Sequence, residues 1–158
     1  MGKREFSFIR ELGGCLDCTT WTKNKNSLKE AWETCERSDW MIWALCRIGF
    51  KDDRKYRLYA CACVRGTPLA DGRTLWDLLT DERSRHAVEV AERYAEGKAS
   101  DEERQEAWNA AAAAYAAYAA AAADAARANA RKWQANLLRQ WISWDEVETA
   151  IRAYQNIK

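Results

Sequence analysis

Apolar residues along this chain recur at three- and four-residue steps, the spacing of one face of an α-helix, and no run alternates in the two-residue period of a half-buried strand. Phe6, Phe8, Ile9 and Leu12 form a first short apolar segment closed by Gly13-Gly14. Ser27 and Glu30 have capping-box spacing and open a helix to Glu36 with Ala31, Trp32 and Cys35 on one face. Ser38-Asp39 are expected to cap a helix from Trp40 to Ile48, with Gly49 as its stop. Asp52-Asp53 start another that Gly66 should end, and Gly66 to Gly72 reads as a loop. A short helix is expected over Leu75–Leu79. Thr80-Asp81 then open one with the stripe Ala87, Val88, Ala91, Tyr94 and Ala95, ending at Gly97.

Ser100 and Glu103 form a second capping box, and acids crowd the first turns that follow (Asp101, Glu102, Glu106), where the helix dipole favours them. From there to Gln140 the chain has neither Gly nor Pro, so one alanine-rich helix is expected over 100–141, about 60 Å long at 1.5 Å per residue. Ser143 and Glu146 cap a final helix to Asn156. The fold class is therefore all-α: a single helical domain over 1–158, with a short-helix core (1–97), the long alanine-rich helix (100–141) and a terminal helix (143–156). Alanine packs closely but buries little area, at roughly 25 cal/mol per Å². The long helix is thus expected to serve a close helix–helix contact, within the chain or in a homo-oligomer.

Composition narrows the function classes. At 158 residues, 48% hydrophobic, the chain has material for a real core. A formal net charge of +1 argues against a general nucleic-acid coat. No stretch is apolar enough for a membrane span, and the N-terminus has no secretory pattern, so a cytoplasmic setting with reduced cysteines is expected. Basic residues dominate from Met41 to Arg73 and acidic ones from Asp77 to Glu106. Such an internal asymmetry can pair helices or orient an anionic ligand.

Catalysis is not indicated. Cys15 and Cys18 make a CxxC without a second half, and the other four cysteines read as small buried hydrophobes. His86 is the only histidine, flanked by Arg83 and Arg85 and with no spacing that selects a nucleophile for it. No glycine loop could cradle a phosphate. No metal site and no cofactor are expected. The tryptophans and arginines are more informative. Trp40, Trp43 and Arg47 share one helical face, beside Asp39, and Arg54, Arg57, Cys61 and Arg65 share a face of the next helix. Flat rings and guanidinium forks can hold planar rings, phosphates or carboxylates. The plainer reading, that the rings are core and the arginines a solvated stripe, comes first.

Residues 31–43, the Leu-Tyr-Ala-Cys-Ala-Cys at 58–63, the segment 78–97 containing Leu-Thr-Asp-Glu-Arg-Ser-Arg-His, and the alanine-rich tail together resemble a bacterial and phage family of all-α immunity proteins of polymorphic toxin systems. That resemblance covers most of the chain. It implies a non-enzymatic inhibitor that binds a protein partner, a toxin or a defence component, with phage-borne members acting in anti-defence. Asp39, Trp40, Trp43, Cys61, Asp81, Arg83 and Arg85 would be its motif residues. The alternative is a protein that sequesters a small anionic ligand, such as a nucleotide signal, in a Trp/Arg-lined pocket. If the alanine-rich helix packs against a second copy, sedimentation analysis should show a mass above that of the 18.2 kDa chain, rising with concentration. A monomer throughout would remove that role.

Overall fold

A computed structural model of the chain describes residues 3–111 and 127–157, with side chains from Ser7 to Ala111 and from Ala128 to Ile157. The protein is all-α. Its helices are α1 (Lys3–Glu11), α2 (Leu16–Lys23), α3 (Leu28–Thr34), α4 (Ser38–Arg47), α5 (Asp53–Gly66), α6 (Leu75–Leu78), α7 (Glu82–Ala95), α8 (101–111), α9 (Arg127–Trp141) and α10 (Trp144–Asn156). The only extended pairing among the described residues is an isolated bridge between Pro68 and Thr74. The expected long helix appears as α8 and α9; its middle, with the close contact assigned to it, lies outside the described residues.

Most caps fall where the spacing puts them. Ser27 accepts from the Glu30 N–H, Asp52 from that of Lys55 and Asp81 from that of Arg83. Ser100 with Glu103, and Ser143 with Glu146, form reciprocal capping boxes. Two boundaries differ. Ser38 and Asp39 lie inside α4 rather than capping it, and Arg37 is the N-cap, with no side-chain capping bond. The Ser38 hydroxyl is drawn away to Gln134 Oε1 at 3.1 Å and the Asp39 carboxylate to Arg37 at 2.6 Å. Gly66 does not end α5 by a left-handed turn; it is the last helical residue, with Thr67 as C-cap. A Cβ there would sit 2.7 Å from Trp133 Cη2, so the glycine permits α5 to approach α9.

Helix α9 is the centre of the molecule. Ala135 and Leu138, and Ile142 just past the end of the helix, have no exposed surface, and they pack with Phe8, Trp32, Met41, Leu45, Ile48, Tyr59 and Val147 in one core. Around that apolar stripe α9 makes polar ties to three other elements. Gln134 accepts from Ser38, donates from Nε2 to Thr67 Oγ1 at 3.1 Å, and accepts on its backbone carbonyl from the Tyr59 hydroxyl at 3.3 Å. Arg139 donates to the carbonyls of Trp32 and Cys35 at 2.8 and 2.9 Å, satisfying the C-terminal end of α3. Lys55 and Glu146 join α5 to α10. On the far side α5 packs on α7, and the buried Val90 of α7 and Ala107 of α8 line one cavity at the α7–α8 seam. No helix among the described residues is long and apolar enough to cross a membrane.

Two substitutions test this centre. Leu138→Ala should lower stability by about 2–5 kcal/mol, the cost of a fully buried leucine. Gly66→Ala should cost about 1–3 kcal/mol through overpacking against Trp133. Both are read from urea denaturation midpoints.

Candidate functional site

The two helices singled out from sequence face different neighbours. Helix α4 packs on α9, whereas α5 packs on α7, α6 and α9. Trp40 is half-buried against the core and meets Trp21 edge-on at 6.0 Å, with the Arg37 guanidinium 4.5 Å above its ring. It borders an apolar gap of about 80 Å³ lined by Phe8, Trp32, Met41 and Trp144 among others. Trp43 is likewise half-buried against the core, with Arg47 5.9 Å from its ring. Asp39 pairs with Arg37 and, at 3.7 Å, with Arg131; the Arg37 hydrogen bonds hold its carboxyl below the ordinary carboxylate range. Trp40 and Arg57 line different cavities.

The arginine row on α5 does form, and it faces α7. Arg54 donates to the Ala95 carbonyl at 3.1 Å, capping the end of α7. Arg57 lies 4.8 Å from the Tyr94 ring. Arg65 makes a bidentate pair with Glu92 at 2.5 and 2.7 Å and stacks 4.3 Å from Trp76, while Arg85 approaches the same ring at 5.3 Å. The basic and acidic blocks of the sequence therefore meet across α5 and α7. Arg83 is exposed and forks onto Asp81 at 3.0 and 2.6 Å. His86 is exposed on α7, beside Arg93, Glu103 and Glu106 at the α7–α8 seam.

The cysteines are all unpaired thiols. In the CxxC, Cys15 Sγ accepts from the Cys18 N–H at 3.4 Å and so serves as the N-cap of α2. Cys18, Cys61 and Cys63 are pushed up to about 11, in each case chiefly by burial. They are neutral at pH 7 and poor nucleophiles. Among the described residues no cluster of three His, Cys, Asp or Glu side chains is placed to hold a metal ion.

The main concavity that sequence reasoning missed is a groove bounded by α5, α7 and α8. Its floor is Ala60, Cys61, Ala87 and Ala91. One end, about 400 Å³, is lined by Asp53, Tyr56, Arg57 and Arg104; the other, about 190 Å³, by Leu79, Ser84, Val88 and Ala111. Trp108, 53% exposed, borders both. Arg104 reaches the Tyr94 ring from α8 at 5.2 Å, so Tyr94 carries two guanidinium groups. Ala87 and Ala91 were legible as an apolar stripe, yet they are too small to fill the space between α5 and α7. The deepest residues of α7 are Ser84 and Val90. Comparison with protein-family models, curated proteins and solved structures finds no match.

The Asp81–Arg83 fork has a measurable signature. Hydrogen bonds from the Arg83 side chain and backbone lower the Asp81 carboxyl from 3.8 to about 2. A depressed folded-state value stabilises the fold above the unfolded value, and that contribution is lost as pH falls. Between pH 3.8 and about 2 the α7 N-terminus should therefore weaken. Carboxyl-carbon NMR should place the Asp81 midpoint near 2, moving toward the free value in Arg83→Ala.

Proposed function

We propose that this chain is a non-catalytic cytoplasmic protein that neutralises a protein partner by binding it, as an immunity or anti-defence factor. The observation that carries this reading is the exposed face at the start of α7. There Arg83 forks onto Asp81, and Trp76 is flanked by Arg65 and Arg85. Side chains fixed in this way lose little entropy when a partner docks, and charge arranged in advance favours specificity and fast association. The neutral Cys61 thiol and the solitary exposed His86 fit binding without turnover. Six unpaired cysteines fit a reducing compartment.

A second reading, sequestration of a small anionic ligand, is favoured by the groove with Arg57, Arg104 and Trp108 at its margin. Native mass spectrometry of the purified protein separates the two. A small added mass lost on denaturation supports sequestration; a clean polypeptide mass leaves the protein partner.

The partner reading is tested with the variant Arg83→Ala. An exposed pair such as Arg83 with Asp81 contributes about 0–1 kcal/mol, so its melting temperature should stay close to that of the parent. Proteins captured by the parent chain, and not by the variant, from the cells that encode it are then expressed in a bacterial host. One of them should arrest growth, and the parent chain but not the variant should restore it. If no captured protein is toxic, neutralisation is the wrong reading; if the variant protects equally well, the α7 face is the wrong surface.

A further inference from the structure

A buried polar atom without a hydrogen bond carries a desolvation cost that nothing in the fold offsets, so such atoms point to what is missing. Among the described residues three side-chain atoms stand in this state: Ser84 Oγ, Arg85 Nε and Arg104 Nε. Two of those residues, Ser84 and Arg104, line the α5–α7–α8 groove, one at each end. Ser84 is only 5% exposed, in the first turn of α7, beside the apolar side chains of Leu79, Val88 and Ala111. The two ends share Ala60, Cys61, Ala87, Ala91 and Trp108, so they form one continuous groove.

We propose that this groove binds a planar heteroaromatic anion of the nucleoside monophosphate type. Its ring would lie on the Ala60, Cys61, Ala87 and Ala91 floor beside Trp108, its polar edge at Ser84 and its phosphate at Arg57 and Arg104. The proposal rests on the small-ligand reading and specifies its site and ligand class.

Each part of the groove selects one feature of that ligand. The floor residues are small, and a flat ring makes full contact with such a surface. Trp108 borders that floor, and an indole is a sequence-tolerant stacking partner for bases. Arg57 has no ion pair or hydrogen bond among the described residues, only the Tyr94 ring beneath it. Arg104 has its nearest acid, Asp101, at 4.0 Å, and that carboxylate already accepts from the Tyr94 hydroxyl at 2.6 Å. Asp53 also lines this end, so the mouth holds two guanidinium forks against two carboxylates. The forks keep unused N–H donors, the geometry that matches a phosphate. Ser84 and Tyr94 are ten positions apart on the helix, about 15 Å of rise, a span suited to a phosphate at one end and a base at the other. An acyl chain would satisfy the arginines but leave the Ser84 hydroxyl buried against methylenes. A base edge can both donate to it and accept from it.

Calorimetric titration of the full chain with AMP, GMP, CMP and UMP tests the assignment, with adenosine and inorganic phosphate as the separated halves. At least one nucleotide should bind one-to-one, more tightly than either half. Ser84→Ala should weaken that binding about tenfold, the loss of one buried hydrogen bond. It should leave the melting temperature of the free protein unchanged or raised, because it removes an unpartnered hydroxyl. Arg57→Gln should weaken binding and flatten its salt dependence. Absence of binding for all four nucleotides at millimolar concentration overturns the proposal, as does binding indifferent to both variants. A fall in the free protein's melting temperature with Ser84→Ala would make the hydroxyl structural and overturn it too. An acyl chain found as a native adduct would keep the small-ligand reading and reject this ligand class.

Discussion

The burial of α9 is the constraint from which the other placements follow. Its apolar stripe of Ala135 and Leu138, with Ile142 just past its C-terminal end, is wholly enclosed, so every helix around it must supply apolar cover without stranding a polar group. The polar groups flanking that stripe are handled by ties that reach far along the chain. Gln134 is shared among Ser38, Tyr59 and Thr67, and Arg139 closes the carbonyl end of α3. Arg139 is half-buried, and desolvation lowers its pKa. Its donors are nonetheless matched to backbone carbonyls, which is what makes a guanidinium tolerable there.

From that centre the molecule separates into two kinds of surface. The face built by α1, α2, α3, α4 and α10 is aromatic and closed, with Trp21, Trp40 and Trp144 packed against the core. The face built by α5, α7 and α8 is held by charge and by cation–ring stacking, since its meeting residues are Ala60, Ala87 and Ala91 rather than large hydrophobes. Arg65 with Glu92, Arg57 and Arg104 with Tyr94, and Arg54 with the end of α7 supply the cohesion that small side chains cannot. The open groove follows directly from that division. A pair of helices held at their margins by long side chains leaves space between them.

The all-α class and most helix starts were legible because capping is local: Ser27, Asp52, Asp81, Ser100 and Ser143 each bond a backbone N–H within three residues. Helix α2 was not legible, since its cap is a cysteine and its body holds two adjacent threonines, which are weak helix formers. Ser38 and Asp39 misled for the opposite reason. They have the chemistry of a cap, but Gln134, 96 residues away, and Arg131 compete for them. The arginine face of α5 was visible as a repeat at helical spacing, and it formed. The meeting of Trp108 and Arg104 with Arg57 was not visible, because the turn at Gly97 must first bring α8 back against α7. No local spacing encodes that.

The ties made by Arg139 also impose an order on biosynthesis. They join residues up to 107 positions apart, with the later partner on the helix that fills the centre. At about 5–20 residues per second, α3 is polymerised on the order of 5–20 s before Arg139. Through that interval Trp32, Met41 and Leu45 have no α9 to pack against. The nascent chain must therefore hold an apolar surface in reserve, which makes the time on the ribosome, rather than the finished fold, the stage at which chaperones would matter most.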